Sequence, residues 1–274
     1  GEEQKEGNRL LQKGEIINSS SITLLASQGI TMVEVYKKIS IAVVSTGNEL
    51  KEPWESSDDE EIYNCNSYAL VSLLIENGFD ATYSGVIPDN LEASKEFISN
   101  MKSYDVIITT GGISMGDADF VGQAFIENGL KTAFHGVNVK PGRPIMMGEM
   151  NKTVVMCLPG NPLTAMVNMH LFALPVLHKI QGSNRFFHDI NKAVNLEEFK
   201  TKQGRVNVVL GNLENGGFNV TRKNKYGSGM ITALYESNSI LVTSQDTSEI
   251  QENQEVYIIK FNSQLIDRKI EIFN

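Results

Sequence analysis

Short apolar runs alternate with longer amphipathic stretches through the middle of this chain. Apolar runs at 39–45, 81–86, 106–110, 145–147 and 153–158, with a more polar one at 132–139, have the length and residue types of strands. Apolar residues at helical spacing between them predict helices over 67–77, 91–101, 120–128 and 163–180. Gly78 and Gly129 stand where helices close with a left-handed residue. This alternation predicts an α/β unit over 39–182, a doubly wound, mostly parallel sheet with helices on both faces.

After Gly182 the rhythm changes. The runs at 206–210, 218–222, 239–242 and 255–261 are short and separated by turn residues, with Asn215-Gly216-Gly217 placed as a hairpin turn. They predict a small all-β, barrel-like unit over 183–262, followed by a polar tail at 263–274. Ahead of the sheet, 10–38 reads as a β-helix-β connecting unit. It has a helix over 20–28 capped by the serines before it, Gly29 as its closing residue, and a strand over 31–36. Residues 1–38 are read as the remnant of a preceding domain.

Composition narrows the partners. The 274 residues are 41% hydrophobic and 21% charged, in the globular range. A net charge of −9 opposes attraction to nucleic acid or an anionic membrane, so an anionic ligand has to be held by local groups. The polar start has no apolar signal region, and no apolar run in the sequence approaches the roughly 20 residues that cross a bilayer. A soluble, cytoplasmic protein is expected. The two cysteines, Cys65 and Cys157, suit neither a disulfide framework nor metal spacing, and Cys157 lies in an apolar run as a core residue. His135, His170, His178 and His188 are scattered, and no zinc site is expected.

Candidate chemistry sits in five loops that each follow a strand-like run: Ser45-Thr46-Gly47-Asn48-Glu49, Pro88-Asp89-Asn90, Gly111 through Asp119, Lys140-Pro141-Gly142-Arg143-Pro144, and Leu158-Pro159-Gly160-Asn161-Pro162. In an open parallel sheet, ligands bind beyond the carboxyl ends of the strands, so these loops can converge. Proline and glycine at the centre of Lys140-Pro141-Gly142-Arg143 predict a type II turn whose ends lie within about 7 Å, aiming two cations at one anion. The plain alternative is a surface turn with two solvated charges. Asn161 is placed as an N-cap and Pro162 at the first helical position, leaving helix-start donors for an anion, although a purely structural turn fits as well. Gly111 and Gly112 allow close backbone approach. Asp117 or Asp119 caps the next helix or, with Glu49 and Asp89, supplies hard oxygen ligands to a metal that also meets substrate phosphates. No Walker A or Gly-x-Gly-x-x-Gly pattern is present.

Taken in order, Ser45-Thr46-Gly47-Asn48-Glu49-Leu50, Ile62-Tyr63-Asn64-Cys65-Asn66-Ser67, Gly111-Gly112-Ile113-Ser114-Met115-Gly116-Asp117-Ala118-Asp119-Phe120, Lys140-Pro141-Gly142-Arg143-Pro144 and Leu158-Pro159-Gly160-Asn161-Pro162 resemble the molybdopterin molybdenumtransferases, the molybdenum insertases that include the C-terminal region of gephyrin. The resemblance implies a homodimeric enzyme of molybdenum cofactor biosynthesis. Such an enzyme hydrolyses adenylylated molybdopterin with Mg2+ or another divalent cation and inserts molybdate at the dithiolene. Molybdopterin adenylyltransferase is a possible partner of such an enzyme.

By the same resemblance, Glu49, Asp89 and Asp119 are catalytic acids and metal ligands, and Lys140 is a catalytic cation. Thr46, Gly111, Gly112, Ser114, Asp117, Arg143, Pro159, Gly160, Asn161, Pro162 and Ser228 line the substrate site. The chain departs from the family at Gly136 and Leu210, where basic residues are usual, and it starts inside the family's first domain. Alternative readings are a non-catalytic molybdopterin-binding or interaction module of the same fold, or a molybdopterin adenylyltransferase, which would not carry the β unit.

Overall fold

The structure, a computed structural model, describes residues 4–112 and 120–261, together with the backbone of 265–266. Its larger sheet has six strands: β1 (Ser40–Thr46), β2 (Asp80–Ile87), β3 (Val106–Thr110), β4 (Leu130–His135), β5 (Met146–Met150) and β6 (Thr153–Leu158). Their order is β2-β1-β3-β6-β5-β4. β1, β2, β3 and β6 pair in parallel, while β5 runs antiparallel to both β6 and β4. The reversal at β5 has a positional result: the β4–β5 connection carries Lys140 to Pro144 back to the edge where β1, β2, β3 and β6 end.

Successive residues of β1 separate the two faces. Ile41 and Val43 pack with α2 (Asn66–Glu76) and α5 (Pro162–Ile180), while Ala42 and Val44 pack with α3 (Leu91–Asn100) and α4 (Phe120–Glu127). That is the period-two alternation of a sheet covered on both sides. Cys157 belongs to the second of these cores.

By length and composition α5 could cross a membrane, yet Leu163, Val167, Met169, Ala173, Leu174 and Leu177 all lie inside protein cores. The polar residues Asn168 and His170 do not interrupt it, and both are buried. Pro175 is accommodated by a π-wound turn, Met169–Ala173, just ahead of it. Such a turn relieves the lost hydrogen bond and the ring clash that proline brings to a helix interior.

The second sheet closes on itself as a barrel: β7 (Asn191–Asn195), β8 (Val206–Glu214), β9 (Gly217–Val220), β10 (Ser239–Val242) and β11 (Glu255–Lys260) follow the order β9-β7-β11-β10-β8, and β9 also pairs with β8. The β8–β9 hairpin turns at Asn215 and Gly216, both with positive φ, as a primed two-residue turn requires. A short strand from the larger unit, Val139–Lys140, joins the barrel's edge in parallel with β8. Around that seam Val139, Leu163 and Val167 share a core with Val208, Leu210, Ala233 and Ile240.

Several expectations need correction. The run at 132–139 is two strands, broken at Gly136, whose φ of 84° lies in the left-handed region. The strand expected at 218–222 stops at Val220, because Arg222, Lys223 and Asn224 all take positive φ. The Lys140–Pro141 peptide is cis, so the turn there is not type II. The N-terminal segment has a helix, α1 (Ser19–Ser27), but no flanking strands. Its cap is Asn18, whose side chain accepts from the Ser21 N–H at 3.0 Å, rather than a serine. Met32 and Val35 are exposed with no strand alongside them, so the β-branched composition of 31–36 has nothing to pair with.

Candidate active site

The loops after β1, β3 and β6 are laced together by backbone and small polar side chains. Gly111 N–H donates to Leu158 O at 3.0 Å, Thr46 Oγ1 to Thr110 O at 3.3 Å, and Asn66 Nδ2 to Gly160 O at 2.7 Å. Gly111 has φ 87°, and a Cβ there would sit 2.5 Å from Thr46 Oγ1, so only glycine lets these loops meet. The neighbouring β1 and β2 loops are joined as well, since Asn48 Nδ2 donates to Asp89 Oδ2 at 3.0 Å.

Asp89 is not the helix cap. Asn90 caps α3, accepting from the Ala93 N–H at 2.9 Å, so Asp89 is left exposed without a capping task. Glu49 is likewise exposed, with its carboxylate folded over Gly47. Ser114, Asp117 and Asp119 lie outside the described residues. Among the described residues no three His, Cys, Asp or Glu side chains gather as a metal cage.

Behind this edge a carboxylate network holds the β1 loop. Glu52 accepts from the Tyr68 hydroxyl at 2.5 Å and from the Tyr83 hydroxyl at 2.6 Å, and Tyr83 is 2.9 Å from Asn64 Nδ2 and 3.3 Å from Ser45 Oγ. Desolvation alone would raise the Glu52 pKa, but the hydroxyls of Tyr68 and Tyr83 outweigh it and the net shift is downward. Burial, reinforced by this carboxylate, pushes the Tyr83 phenol up to about 12.

A cleft of about 580 Å³ opens between the sheet edge and the barrel. Lys140, Arg143, Pro159 and Asn161 line one wall, and Lys200, Lys202, Arg205, Tyr226 and Ser228 line the other. Asn161 occupies the N-cap position of α5 with Pro162 next to it, but its amide caps nothing and instead donates to Ser228 Oγ across the cleft at 3.2 Å. The turn carrying Lys140 and Arg143 is anchored from below by buried Asn168, whose Nδ2 donates to Gly142 O at 2.9 Å. Predicted residues thus fall into two groups at one sheet edge. Thr46, Gly111, Gly112 and Gly160 form the laced loops with Glu49 and Asp89 beside them, and Lys140, Arg143, Pro159, Asn161 and Ser228 face the barrel.

Residues 42–179 match the family described as the probable molybdopterin binding domain, and residues 192–261 match the MoeA C-terminal region (domain IV). This chain belongs to the MoeA family. It is 31% identical over 267 residues to the molybdopterin molybdenumtransferase of Haemophilus influenzae, an alignment covering 96% of this chain and 66% of that protein. The molybdopterin biosynthesis MoeA protein of Pyrococcus horikoshii superposes with a TM-score of 0.80 at 27% identity, covering 95% of this chain and 63% of that one. The chain therefore spans a little under two thirds of the length of these MoeA relatives.

Against the usual MoeA pattern, the two departures have distinct structural consequences. Leu210 is wholly buried in the seam core, and its N–H donates to the Tyr226 hydroxyl at 2.7 Å. Burial drives the Tyr226 phenol up to about 12. Gly136 turns the chain and leaves open space beside it. The cleft nonetheless keeps a basic wall through Lys200, Lys202 and Arg205, which the sequence reading passed over. Their approach to Lys140 is set by the pairing of Asn207 with Lys140, which no local pattern reveals. Asn66 and Asn168 were missed as well, and the signal available for Asn66 was its place in the Asn64-Cys65-Asn66-Ser67 run.

Proposed function

We propose that this chain carries the ligand-binding and catalytic part of a molybdopterin molybdenumtransferase, acting on adenylylated molybdopterin and molybdate. The observation that carries this reading is the convergence of the laced post-strand loops and a cation-lined cleft on one sheet edge. In this reading Thr46, Gly111, Gly112 and Gly160 let the pterin phosphate approach the backbone. Lys140 and Arg143 neutralise the phosphoanhydride, and Asn161 and Ser228 orient it from the barrel side.

Glu49 and Asp89 are exposed oxygen donors on adjacent loops, a set suited to Mg2+, which takes one or two carboxylates plus substrate phosphates. Asp119, outside the described residues, is the third proposed ligand. When bound, the ion offsets negative charge on the phosphate oxygens as the anhydride opens and AMP leaves. Homodimerisation, a cytoplasmic location and hand-over from a molybdopterin adenylyltransferase belong to the same proposal.

The test is AMP release from adenylylated molybdopterin by the purified chain with Mg2+ and molybdate. The wild-type chain is expected to turn over. Asp89→Ala is expected to lose at least about tenfold with an unchanged melting temperature, because its only described partner is an exposed amide. Equal release by both proteins would overturn the metal role. Pterin binding without AMP release by the wild type would favour the non-catalytic binding module.

A further inference from the structure

Two cavities meet beside the barrel. The cleft already described shares Arg143, Pro144 and Arg205 with a second cavity of about 670 Å³, which is completed by His135, Gly136, Val137 and Asn138. Neither lining contains an aspartate or a glutamate. Five cations line the pair, Lys140, Arg143, Lys200, Lys202 and Arg205, and none of them is in an ion pair among the described residues. The ion pairs use Lys51, Lys95, Lys192, Arg222 and Lys223 instead. In a chain of net charge −9, unpaired cations gathered in one concavity create a local field opposite in sign to that of the whole molecule.

The two arginines at the junction are held from both sides. Val137 N–H donates to Arg143 O at 3.0 Å, and Val206 N–H, next to Arg205, donates to Asn138 O at 3.1 Å. Gly136 lines the second cavity without a side chain, and a Cβ built there would find its nearest neighbour, Arg143 O, 3.7 Å away. The junction is thus reachable by a route that touches none of the laced loops at Thr46, Gly111 or Gly160.

We propose that Arg143 and Arg205 bind a small tetrahedral oxyanion where the two cavities meet, and that the opening at Gly136 admits it independently of the pterin. This rests on the functional reading above and assigns its inorganic substrate a separate seat and entrance. Guanidinium forks match the paired oxygens of a tetrahedral dianion, whereas the lysine ammonium is a point charge. Lys140, beside Pro159 and Asn161, is left to the phosphate of the organic ligand.

The experiment is calorimetric titration of the whole chain with molybdate alone, and separately with AMP as the phosphate probe. Molybdate is expected to bind without any pterin. Arg205→Ala and Arg143→Ala are expected to weaken it at least about tenfold, and Arg205→Lys to recover part of the loss. Lys140→Ala and Ser228→Ala are expected to change molybdate affinity by less than about threefold, while Lys140→Ala weakens AMP. Asn138→Trp, narrowing the second opening, is expected to slow molybdate association while leaving AMP association unchanged.

Molybdate binding that depends on Lys140 and Ser228 but not Arg205 overturns the proposal, as does AMP binding with no molybdate binding. Loss of AMP release with molybdate binding intact defeats the broader functional reading and leaves this site standing. Circular dichroism of each variant separates loss of the site from loss of the fold.

Discussion

His170 is almost fully buried, with its ring stacked on Phe261 at 4.8 Å between centroids. Desolvation, with a smaller contribution from the charge of nearby His188, lowers its pKa from 6.5 to about 4. The folded value lies below the unfolded one, so between them the unfolded chain takes a proton that the native chain refuses. Stability is fully present above the unfolded value and falls as pH drops towards 4. Denaturant unfolding at pH 7.5 and pH 5 is expected to differ by about 2 kcal/mol from this residue. His188 and His178, also lowered by burial, act in the same direction. His170→Phe keeps the stack and is expected to flatten the pH dependence, and an unchanged slope would remove His170 as its source. None of this was legible in the sequence, where the four histidines are merely scattered. What makes His170 distinctive is its depth beneath the barrel, set by residues far along the chain.

Among the elements, α5 bears directly on the site. Asn168 sits wholly buried within it and reaches out of the helix to Gly142 O and, at 3.4 Å, Pro144 O. Gly142 takes φ 112°, and a Cβ there would fall 2.4 Å from Asn168 Oδ1. Helix and turn therefore fit each other through one amide. Asn168→Ala is expected to cost about 1 to 3 kcal/mol by stranding two carbonyls, and to weaken AMP binding by loosening the Lys140 turn. Thermal melts and titration together check this, and a stability loss with AMP affinity intact would confine Asn168 to packing.

Legibility differed sharply between elements. Val106–Thr110 and Thr153–Leu158 were readable to the residue, because strands buried on both faces are unbroken apolar runs. The β5–β6 hairpin was not: it turns on Asn151 and Lys152, both with positive φ, and Asn-Lys lacks the glycine that usually signals such a turn. The strand expected at 31–36 failed for the opposite reason, since β-branched composition shows what fits a sheet and not whether a sheet edge is within reach.

For the molecule as a whole, the sign of its charge and that of its cleft disagree. Binding of phosphorylated pterin then depends on near contacts rather than on steering by the protein's overall field, which screening limits to about 8 to 10 Å at physiological salt. Lys140→Ala is expected to weaken that binding more at low salt than at high salt, and Arg143→Lys to do less harm than Arg143→Ala because it keeps the charge. Affinity measured across a salt series decides this, and unchanged affinity in all three would make the turn merely structural. The loops that build the edge were legible from their positions after apolar runs. The basic wall opposite was not, because Lys200, Lys202 and Arg205 acquire their meaning only once the barrel is docked.

That docking is done by the pairing of Val139 with Val206 and of Lys140 with Asn207. A swinging appendage could drift without disturbing the rest, but here the strand that aims the lysine is also the outermost plank of the barrel. Any tilt of the barrel is transmitted to the Lys140 side chain as through a rigid lever, and the two cannot be re-engineered separately. Grafting a foreign barrel onto this sheet would have to reproduce a two-residue register before it could reproduce a binding constant.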